Sequence, residues 1–424
     1  MKHIKTITCA ALLAMAMLTG CSSDNGDENT SNSGQTETPK GTRSFELTEA
    51  QKSAVAKNND FAFNFFRSVS QSEKQKGKST VVSPLSVTYV LGMLNTGATG
   101  NTSREITTLL GFNSSDTKSI NELCQQLING APTVDEYVKV GQANCVVVDN
   151  KVALLSEYQK EVTDYYNAEA ATVPFGTKEA VDFVNNWSSQ HTEGLIPQLV
   201  ENLDGVMALI NAVYINAPWT EPFHALNTVN EKFTKEDGND VTVPMMHGKH
   251  LASTSYAKTN DYEALRMAYG TNNNWAMYVL LPSKGKSVDD VISKLTSESW
   301  AETLRGMTGK AVEVKLPKFK TEFDLNLNKI LSQMGAPSMF NPLQELTLIS
   351  SNYKDLYVSM VKQKATIEVK EEGTEAAAVT IMGMVGDSGE TITYYPFFVD
   401  RPFVYLIQEA SSGAIFFIGT YRGN

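Results

Sequence analysis

Ser388 is the side chain in this sequence that most suggests nucleophilic chemistry, because it lies in the small-residue segment Gly386-Asp387-Ser388-Gly389. A serine hydroxyl acts as a nucleophile when a histidine base lies within hydrogen-bond reach and an acid orients that base. Beyond the first 20 residues the chain has four histidines, and none stands in the Ala-Ala-His-Cys context of a serine protease base. We therefore interpret the segment as a loop.

Two other patterns suggest bound ligands. His247 and His250 are spaced like metal ligands, but no cysteine or further histidine lies nearby, and two ligands do not complete a zinc site. We expect this pair to lie in a solvent-exposed loop. The glycines between residues 92 and 100 lack the Gly-Lys-Ser/Thr sequence of a phosphate-binding loop. The sequence thus predicts no metal and no cofactor.

The composition is that of a large folded protein. The 424 residues are 42% hydrophobic and 20% charged, which is enough to bury a sizeable core and argues against general disorder. The formal net charge is -11. A chain this acidic repels phosphate backbones and anionic membrane surfaces, so we expect no nucleic acid partner.

The N-terminus has the pattern of a targeting segment. Lys2 and Lys5 precede an apolar run at residues 7–18, which is too short for a transmembrane helix of about 20 residues. The run ends in Leu-Thr-Gly before Cys21, which resembles a bacterial lipobox. That resemblance implies a lipoprotein signal peptide at residues 1–20 and a lipid-modified Cys21; an ordinary secretory signal is the alternative.

Residues 21–44 are predicted to form a flexible tether, because they are rich in serine, asparagine, glycine and threonine. The acidic segment at 23–28 resembles export tags of surface lipoproteins in some Gram-negative bacteria. We therefore expect an outer-membrane lipoprotein exposed on the cell surface, rather than in the periplasm, that contacts the membrane only through the lipid on Cys21. Of the two remaining cysteines, Cys124 and Cys145, Cys145 lies in a strand-like run and is expected to be a buried thiol; a disulfide between the two is the alternative.

Residues 45–424 contain no linker or repeat and are predicted to be one domain. Phenylalanines at helical spacing predict a helix over 49–70, and Ser83-Pro84 predicts the start of a second helix. Apolar or alternating runs predict strands at 207–215, 275–281, 311–316, 357–361, 365–369, 403–407 and 414–419. Helices followed by a strand-rich remainder indicate an α+β fold.

The segment from Thr374 to Val385 has an unusual double character. Its alanines are compatible with a surface helix, but an alternating strand-like run precedes it. If the segment formed a strand, Glu375 would point to one face and the other face would carry no charge. That uncharged face comprises Thr374, Ala376, Ala378, Thr380, Met382 and Met384. The segment can therefore exist both as an exposed loop and as a buried central strand.

Together with its flanks, this segment resembles the serpin family over essentially all of residues 45–424. Five motifs carry the resemblance: EEGTEAAAVT at 371–380, FFVDRPFVYLI at 397–407, NAVYINAPW at 211–219 followed by EPF at 221–223, VSPLS at 82–86 and LPKF at 316–319. The resemblance implies the serpin fold, a bundle of about eight or nine helices around three β-sheets with an exposed reactive-centre loop.

The resemblance also implies a function: the protein would be a suicide substrate that inhibits serine endopeptidases, and not an enzyme. Cysteine endopeptidases are a second class of target that the resemblance allows. The protease cuts the loop and is trapped covalently when the loop inserts into the large sheet. Counting from the hinge places the reactive bond at Asp387–Ser388, with Met384, Val385 and Gly386 as alternatives. A monomer is the default expectation. The alternatives are a non-inhibitory binding or chaperone-like surface lipoprotein with the same fold, and a glycan-binding lipoprotein.

The family's functional residues map onto this chain in three groups. The hinge comprises Glu371, Gly373, Thr374, Glu375, Ala376, Ala377 and Ala378. The shutter, a hydrogen-bond cluster under the large sheet, comprises Ser83, Ser86, Asn211 and Gln363, with Gln363 where the family usually has histidine. The breach comprises Trp219, Lys318 and Glu371, with an ion pair expected between the last two.

Overall fold

The computed structural model describes residues 44–113, 116–250, 253–375 and 392–424. The predicted signal peptide, Cys21 and nearly all of the tether lie outside these ranges, as does the segment 376–391. Within the described ranges, no helix combines the length and apolarity needed to cross a bilayer.

Nine α-helices occur in the described residues, and two of them show why the sequence predicts them. The first is capped by Thr48, whose hydroxyl accepts from the Gln51 amide, and the second begins with Pro84 at its first position after the capping Ser83. The helices are α1 Glu49–Ser70, α2 Pro84–Gly97, α3 Gly100–Leu109, α4 Thr117–Gly130, α5 Ser156–Tyr166, α6 Lys178–His191, α7 Val288–Lys294, α8 Ser297–Arg305 and α9 Asn328–Gln333.

The described strands form three sheets. They are β1 Thr80–Val82, β2 Lys139–Asp149, β3 Ala168–Val173, β4 Met207–Pro218, β5 Val229–Thr234, β6 Asp240–His250, β7 Thr254–Lys258, β8 Tyr262–Tyr269, β9 Trp275–Pro282, β10 Thr308–Gly309, β11 Val312–Pro317, β12 Phe319–Asn326, β13 Met360–Val369, β14 Gly373–Thr374, β15 Tyr395–Phe398, β16 Phe403–Glu409 and β17 Ile415–Tyr421. The strand orders are β12-β13-β14-β4-β2-β3, β1-β17-β16-β9-β8-β7-β10 and β15-β11-β6-β5.

The fold class is confirmed: helices and three sheets are arranged as α+β. Strands β16 and β17, each buried along its whole length, lie between the edge strand β1 and the middle strand β9 of the seven-stranded sheet. Helix α2 is buried at every position and packs against β4 of the six-stranded sheet and β17 of the seven-stranded sheet. This helix is therefore the core element that joins the two large sheets.

One strand prediction was wrong in detail. Residues 357–361 and 365–369 were expected to form two strands, but residues 360–369 form the single strand β13, and residues 357–359 precede it. The error arose at residues 362–364, where lysines interrupt the apolar run. In the structure Lys362 and Lys364 point outward while Gln363 between them is buried, so the alternation of one half-exposed strand continues unbroken.

The prediction of an exposed loop at His247 and His250 was also wrong, because both residues lie on β6. His250 is only 1% exposed and packs edge-on against Phe223, and burial lowers its pKa. His247 lies 2.9 Å from Glu231. Since residues three apart on a strand point to opposite faces, the two imidazoles do not converge. No group of three potential metal ligands occurs in the described residues.

The two cysteines of the described residues are buried free thiols, which confirms the prediction made for Cys145. Cys124 lies on α4 and Cys145 on β2. Burial raises the pKa of the Cys124 thiol to about 12 and raises that of Cys145 further. The alternative of a disulfide between them is therefore wrong.

Candidate functional site

The six-stranded sheet contains a gap between its two central strands. Strands β13 and β4 are parallel and pair only where Met360 to Lys362 face Ala208 to Ile210. Further along, residues 363–368 and 211–216 do not pair with each other, and no described residue lies between them in the ladder. The two-residue strand β14 enters at the far end and pairs antiparallel with both neighbours. The sheet is therefore held together at both ends of the gap.

Strand β14 is the returning arm of a tight hairpin that follows β13. The Lys370 amide donates to the Gly373 carbonyl at 2.8 Å, and Val369 faces Thr374. Gly373 has a φ of +155°, and a Cβ there would collide with the Ala217 carbonyl oxygen and lie 2.7 Å from Pro218 Cα. The hairpin fits between the strands because this residue has no side chain.

Thr374 is the first hinge side chain to enter the core. It is 0% exposed, and its hydroxyl is hydrogen-bonded to the Tyr269 hydroxyl. The Tyr269 ring is stacked on Trp219 with centroids 4.3 Å apart, and burial raises the Tyr269 pKa, so this hydroxyl stays protonated. The start of the predicted hinge is thus already a satisfied part of the sheet.

Glu375 points to the opposite side of the sheet, as the alternation predicts. Its amide donates to the Glu368 carbonyl at 2.8 Å, but its φ of +50° is unfavourable for a residue with a side chain. Burial, together with the charge of Glu368, raises the pKa of the Glu375 carboxyl to about 7. Its Oε2 is buried and has no hydrogen-bond partner among the described residues. The regular strand therefore stops at a strained residue.

The three residues predicted as the breach lie together beside the hairpin. Lys318 Nζ lies 2.8 Å from Glu371 Oε2, and the Thr228 hydroxyl donates to Glu371 Oε1 at 2.7 Å. Trp219 Nε1 donates to the Lys370 carbonyl at 3.0 Å. Burial alone would raise the Glu371 pKa, but the bonds from Lys318 and Thr228 outweigh it, so the pKa is lowered. These contacts fix the turn that leads into β14.

The four residues predicted as the shutter lie at the other end of the gap. Gln363 of β13 accepts from the Ser83 amide at 3.2 Å and donates to the Ser83 carbonyl at 2.8 Å. The Ser86 hydroxyl donates to Asn211 of β4, which in turn donates to Asn144 Oδ1 at 2.6 Å. The N-terminus of α2 thus holds both central strands where they begin to separate.

Hinge and shutter are separated along β13 by the six residue-to-residue steps from Gln363 to Val369, or roughly 20 Å at about 3.3 Å per step. Sequence reasoning missed Tyr269, Thr228 and Asn144, which complete these clusters. Their partners are 67 to 143 residues away in the chain, so no local spacing could have identified them. Only the fold brings them together.

The remaining predicted site residues lie outside the described chain. They are Ala376, Ala377 and Ala378 of the hinge, and Met384, Val385, Gly386, Asp387 and Ser388 around the expected reactive bond. The described residues that flank them are Glu375, which follows β14 of the six-stranded sheet, and Ile392, which precedes β15 at the edge of the four-stranded sheet.

Comparison with known proteins gives one consistent answer. The family model described as "Serpin (serine protease inhibitor)" matches residues 56–423. Serpin-Z10 from Arabidopsis thaliana is 33% identical over 359 residues, covering 81% of this chain and 91% of the relative. Human neuroserpin is 30% identical over 355 residues, covering 81% and 85%.

Solved structures agree. The thermophilic serpin tengpin in its native state has a TM-score of 0.79 and 25% identity over 90% of this chain and 96% of that chain. Thyroxine-binding globulin, solved with thyroxine, has a TM-score of 0.78 and 26% identity over 87% and 98%. The chain therefore belongs to the serpin family, whose members are mostly protease inhibitors rather than enzymes.

Proposed function

We propose that this protein is a suicide-substrate inhibitor of serine endopeptidases that traps the acyl-enzyme by inserting its cleaved loop between β13 and β4. The observation that carries the proposal is the position of β14. Its two residues already pair with both central strands, above a stretch in which those strands do not pair with each other. Once Glu375 changes from its left-handed to an extended backbone conformation, a strand that grows from this start needs no separation of β13 from β4 until it reaches the shutter.

The register of β14 fixes where each inserted residue would lie. Extending the pairing of Val369 with Thr374 places Ala376 opposite Ile367, Ala378 opposite Ala365 and Thr380 opposite Gln363. These β13 residues are all buried, so the inserted face must be uncharged, and it is. Beyond Thr380 the growing strand must separate the three residue pairs that join β13 to β4, which makes the shutter the barrier to full insertion.

The proposed chemistry is borrowed from the protease. Its serine hydroxyl attacks the Asp387 carbonyl, the bond to Ser388 nitrogen breaks, and the protease histidine passes the hydroxyl proton to that nitrogen, so Ser388 leaves as a free amine while Asp387 is held as an ester. The 14 residues from Thr374 to Asp387 span roughly 46 Å as a strand at about 3.3 Å per residue. Insertion drags the enzyme this far, and the strand's pairing energy distorts its active site before water can hydrolyse the ester.

The expected specificity follows from the residue at the bond. Asp387 favours an enzyme that prefers aspartate. A bond shifted to Met384, Val385 or Gly386 would favour elastase-like or subtilisin-like enzymes instead. Cysteine endopeptidases form a thioester in the same position and remain a second target class.

The proposed location is the outer surface of a bacterial outer membrane. It rests on the lipobox-like sequence before Cys21, the acidic segment that follows and the tether up to residue 44. The test is metabolic labelling with a palmitate analogue, followed by protease shaving of intact cells. Wild type should be labelled and shaved; Cys21→Ala should be unlabelled, and label retained in that variant would refute the anchor.

The inhibitory function is tested with residues 22–424 as a monomer, incubated with trypsin-, elastase-, subtilisin- and aspartate-specific proteases. A complex that survives a denaturing gel supports trapping, and the mass of the released C-terminal peptide identifies the cut bond. The matched control is each protease with its catalytic serine changed to alanine, which should give no complex. Cleavage without complex across the panel would overturn the proposal and favour a carrier function, for which the likeness to thyroxine-binding globulin is the precedent.

A further inference from the structure

Adjacent hinge residues have opposite tendencies in the docked position. Thr374 is fully buried and hydrogen-bonded to Tyr269, so leaving the sheet would break a satisfied contact. Glu375 has a left-handed backbone conformation and a buried oxygen with no hydrogen-bond partner among the described residues, so leaving would relieve strain and rehydrate a carboxyl. The hinge is therefore held by one residue and opposed by the next.

The groups around Glu375 do not neutralise it. Glu368 on β13 repels it, and the cations nearby are already paired: Lys370 lies 2.9 Å from Glu368, and Lys320 on β12 lies 2.7 Å from Glu322. On β4 the neighbour is Tyr214, whose hydroxyl donates to Glu193 at 2.9 Å. An ionised Glu375 would thus be a second carboxylate beside Glu368, in a partly desolvated position.

We propose that the hinge docks in the six-stranded sheet in a proton-linked manner, with Tyr269 holding Thr374 in place and ionisation of Glu375 drawing residues 373–375 out. In this arrangement Tyr269 is a positioning residue. Acid favours the docked hinge, and neutral to alkaline conditions favour a longer, freer loop. The expectation that a freer loop reacts faster with a protease rests on the proposed function. The expected effect of pH on the position of the hinge does not rest on it.

The direction and size follow from linkage. A free glutamate titrates near pH 4.3, whereas the docked Glu375 has a pKa of about 7. Because docking raises the pKa of this carboxyl, the free-energy penalty on docking grows as the pH rises from the pKa of the free carboxyl to that of the docked carboxyl. Above the pKa of the docked carboxyl the penalty stays constant. The ratio of undocked to docked hinge should therefore rise roughly seventyfold between pH 5 and pH 8.

Hydrogen exchange of the Glu375 amide measures this ratio directly, because that amide donates to Glu368 only when the hinge is docked. After correction for intrinsic exchange, protection in the wild type should fall by tens of fold between pH 5 and pH 8. Glu375→Gln should abolish that fall. Tyr269→Phe should lower protection at both pH values while leaving the pH dependence unchanged. Protection that is independent of pH in the wild type, or equally pH-dependent in Glu375→Gln, would overturn the proposal.

Two further measurements separate this inference from the proposed function. Gly373→Ala, which forces the hairpin out by collision with Ala217, should show low protection at every pH. Complex formation with a reactive protease is then measured on the same samples. Proton-linked protection without any complex would support the hinge device while refuting inhibition, whereas stable complexes with pH-independent protection would do the reverse.

Discussion

Replacing Thr374 by arginine tests whether the inserted face must stay uncharged. The threonine side chain is fully buried against Tyr269, and its only polar atom is satisfied there. An arginine at this position would bring a guanidinium into the same pocket without a carboxylate partner. The resting hinge should therefore undock, while the rest of the protein stays folded because β13 keeps its pairing with β12 and β4 keeps its pairing with β2.

The size of the effect comes from the desolvation of the charge. Burying an unpaired ion in a real protein costs several kcal/mol, and we take about 3 kcal/mol as the part that appears in the barrier to insertion. Because about 1.4 kcal/mol changes a rate tenfold, insertion should slow by roughly a hundredfold. If insertion in the wild type is about ten times faster than deacylation, a hundredfold loss makes it about ten times slower than deacylation. More than about ten inhibitor molecules would then be consumed for each protease molecule inactivated.

The assay is a titration of a protease that reacts with the wild type, read both as residual activity and as complex on a denaturing gel. Ala377→Arg is the matched control, because the register places residue 377 opposite Thr366 on the outward face that already carries Lys362 and Lys364. Ala377→Arg should raise the number of inhibitor molecules consumed per protease far less than Thr374→Arg does. A Thr374→Arg variant that still forms stable complexes at a ratio near one would refute the insertion mechanism.

Two other predictions follow from the clusters around the gap, and a third from the buried cysteines. Lys318→Met should lower the free energy of unfolding by about 1–2 kcal/mol in urea titrations, against less than about 0.5 kcal/mol for Lys320→Met, whose pair is exposed. Because the pKa of Glu371 is lowered in the folded protein, the difference in stability between wild type and Lys318→Met should be present above about pH 4.3 and vanish as the pH falls further. A difference in stability that is undiminished at pH 3 would contradict this prediction. Gln363→His should introduce a buried imidazole that resists protonation. The variant should therefore be as stable as the wild type at pH 8 and about 1 kcal/mol less stable than the wild type at pH 5. If the variant and the wild type had equal urea midpoints at both pH values, the buried contact with Ser83 would be contradicted. Thiol titration of residues 22–424 should find no reactive cysteine in buffer and two in denaturant, and one fast thiol under native conditions would show that Cys124 or Cys145 is accessible.

The alternation around the hinge was predictable because a strand's period of two is a local property. Thr374 points into the core and Glu375 out of it, as their positions in the sequence require. The fold class and the ends of the first two helices were equally accessible, since caps and apolar spacing are read within a few residues. The residues brought together in the shutter followed from resemblance, not from spacing.

Local sequence patterns could not predict which side chains become buried between elements that are distant in the chain. Nothing in the sequence distinguishes Tyr269 from the chain's other tyrosines until β8 packs it against Trp219 and the hairpin. His250 was misplaced because polar residues on a half-buried strand resemble a loop when the neighbouring strands are unknown. The raised pKa of Glu375 likewise depends on burial between elements that are distant in sequence.

The position of β17 has a consequence for the order in which the molecule can be made. This strand is the last described strand in sequence order, and it lies second from one edge of the seven-stranded sheet, between β1 and β16, with Thr80 paired to Thr420. Because synthesis proceeds from the N-terminus, β1 is made long before β17, its single neighbour among the described strands of that sheet. A nascent chain that stops before residue 415 lacks β17, so β1 and β16 each have no strand to pair with on that side. Completion of this side of the sheet is therefore a late step in folding.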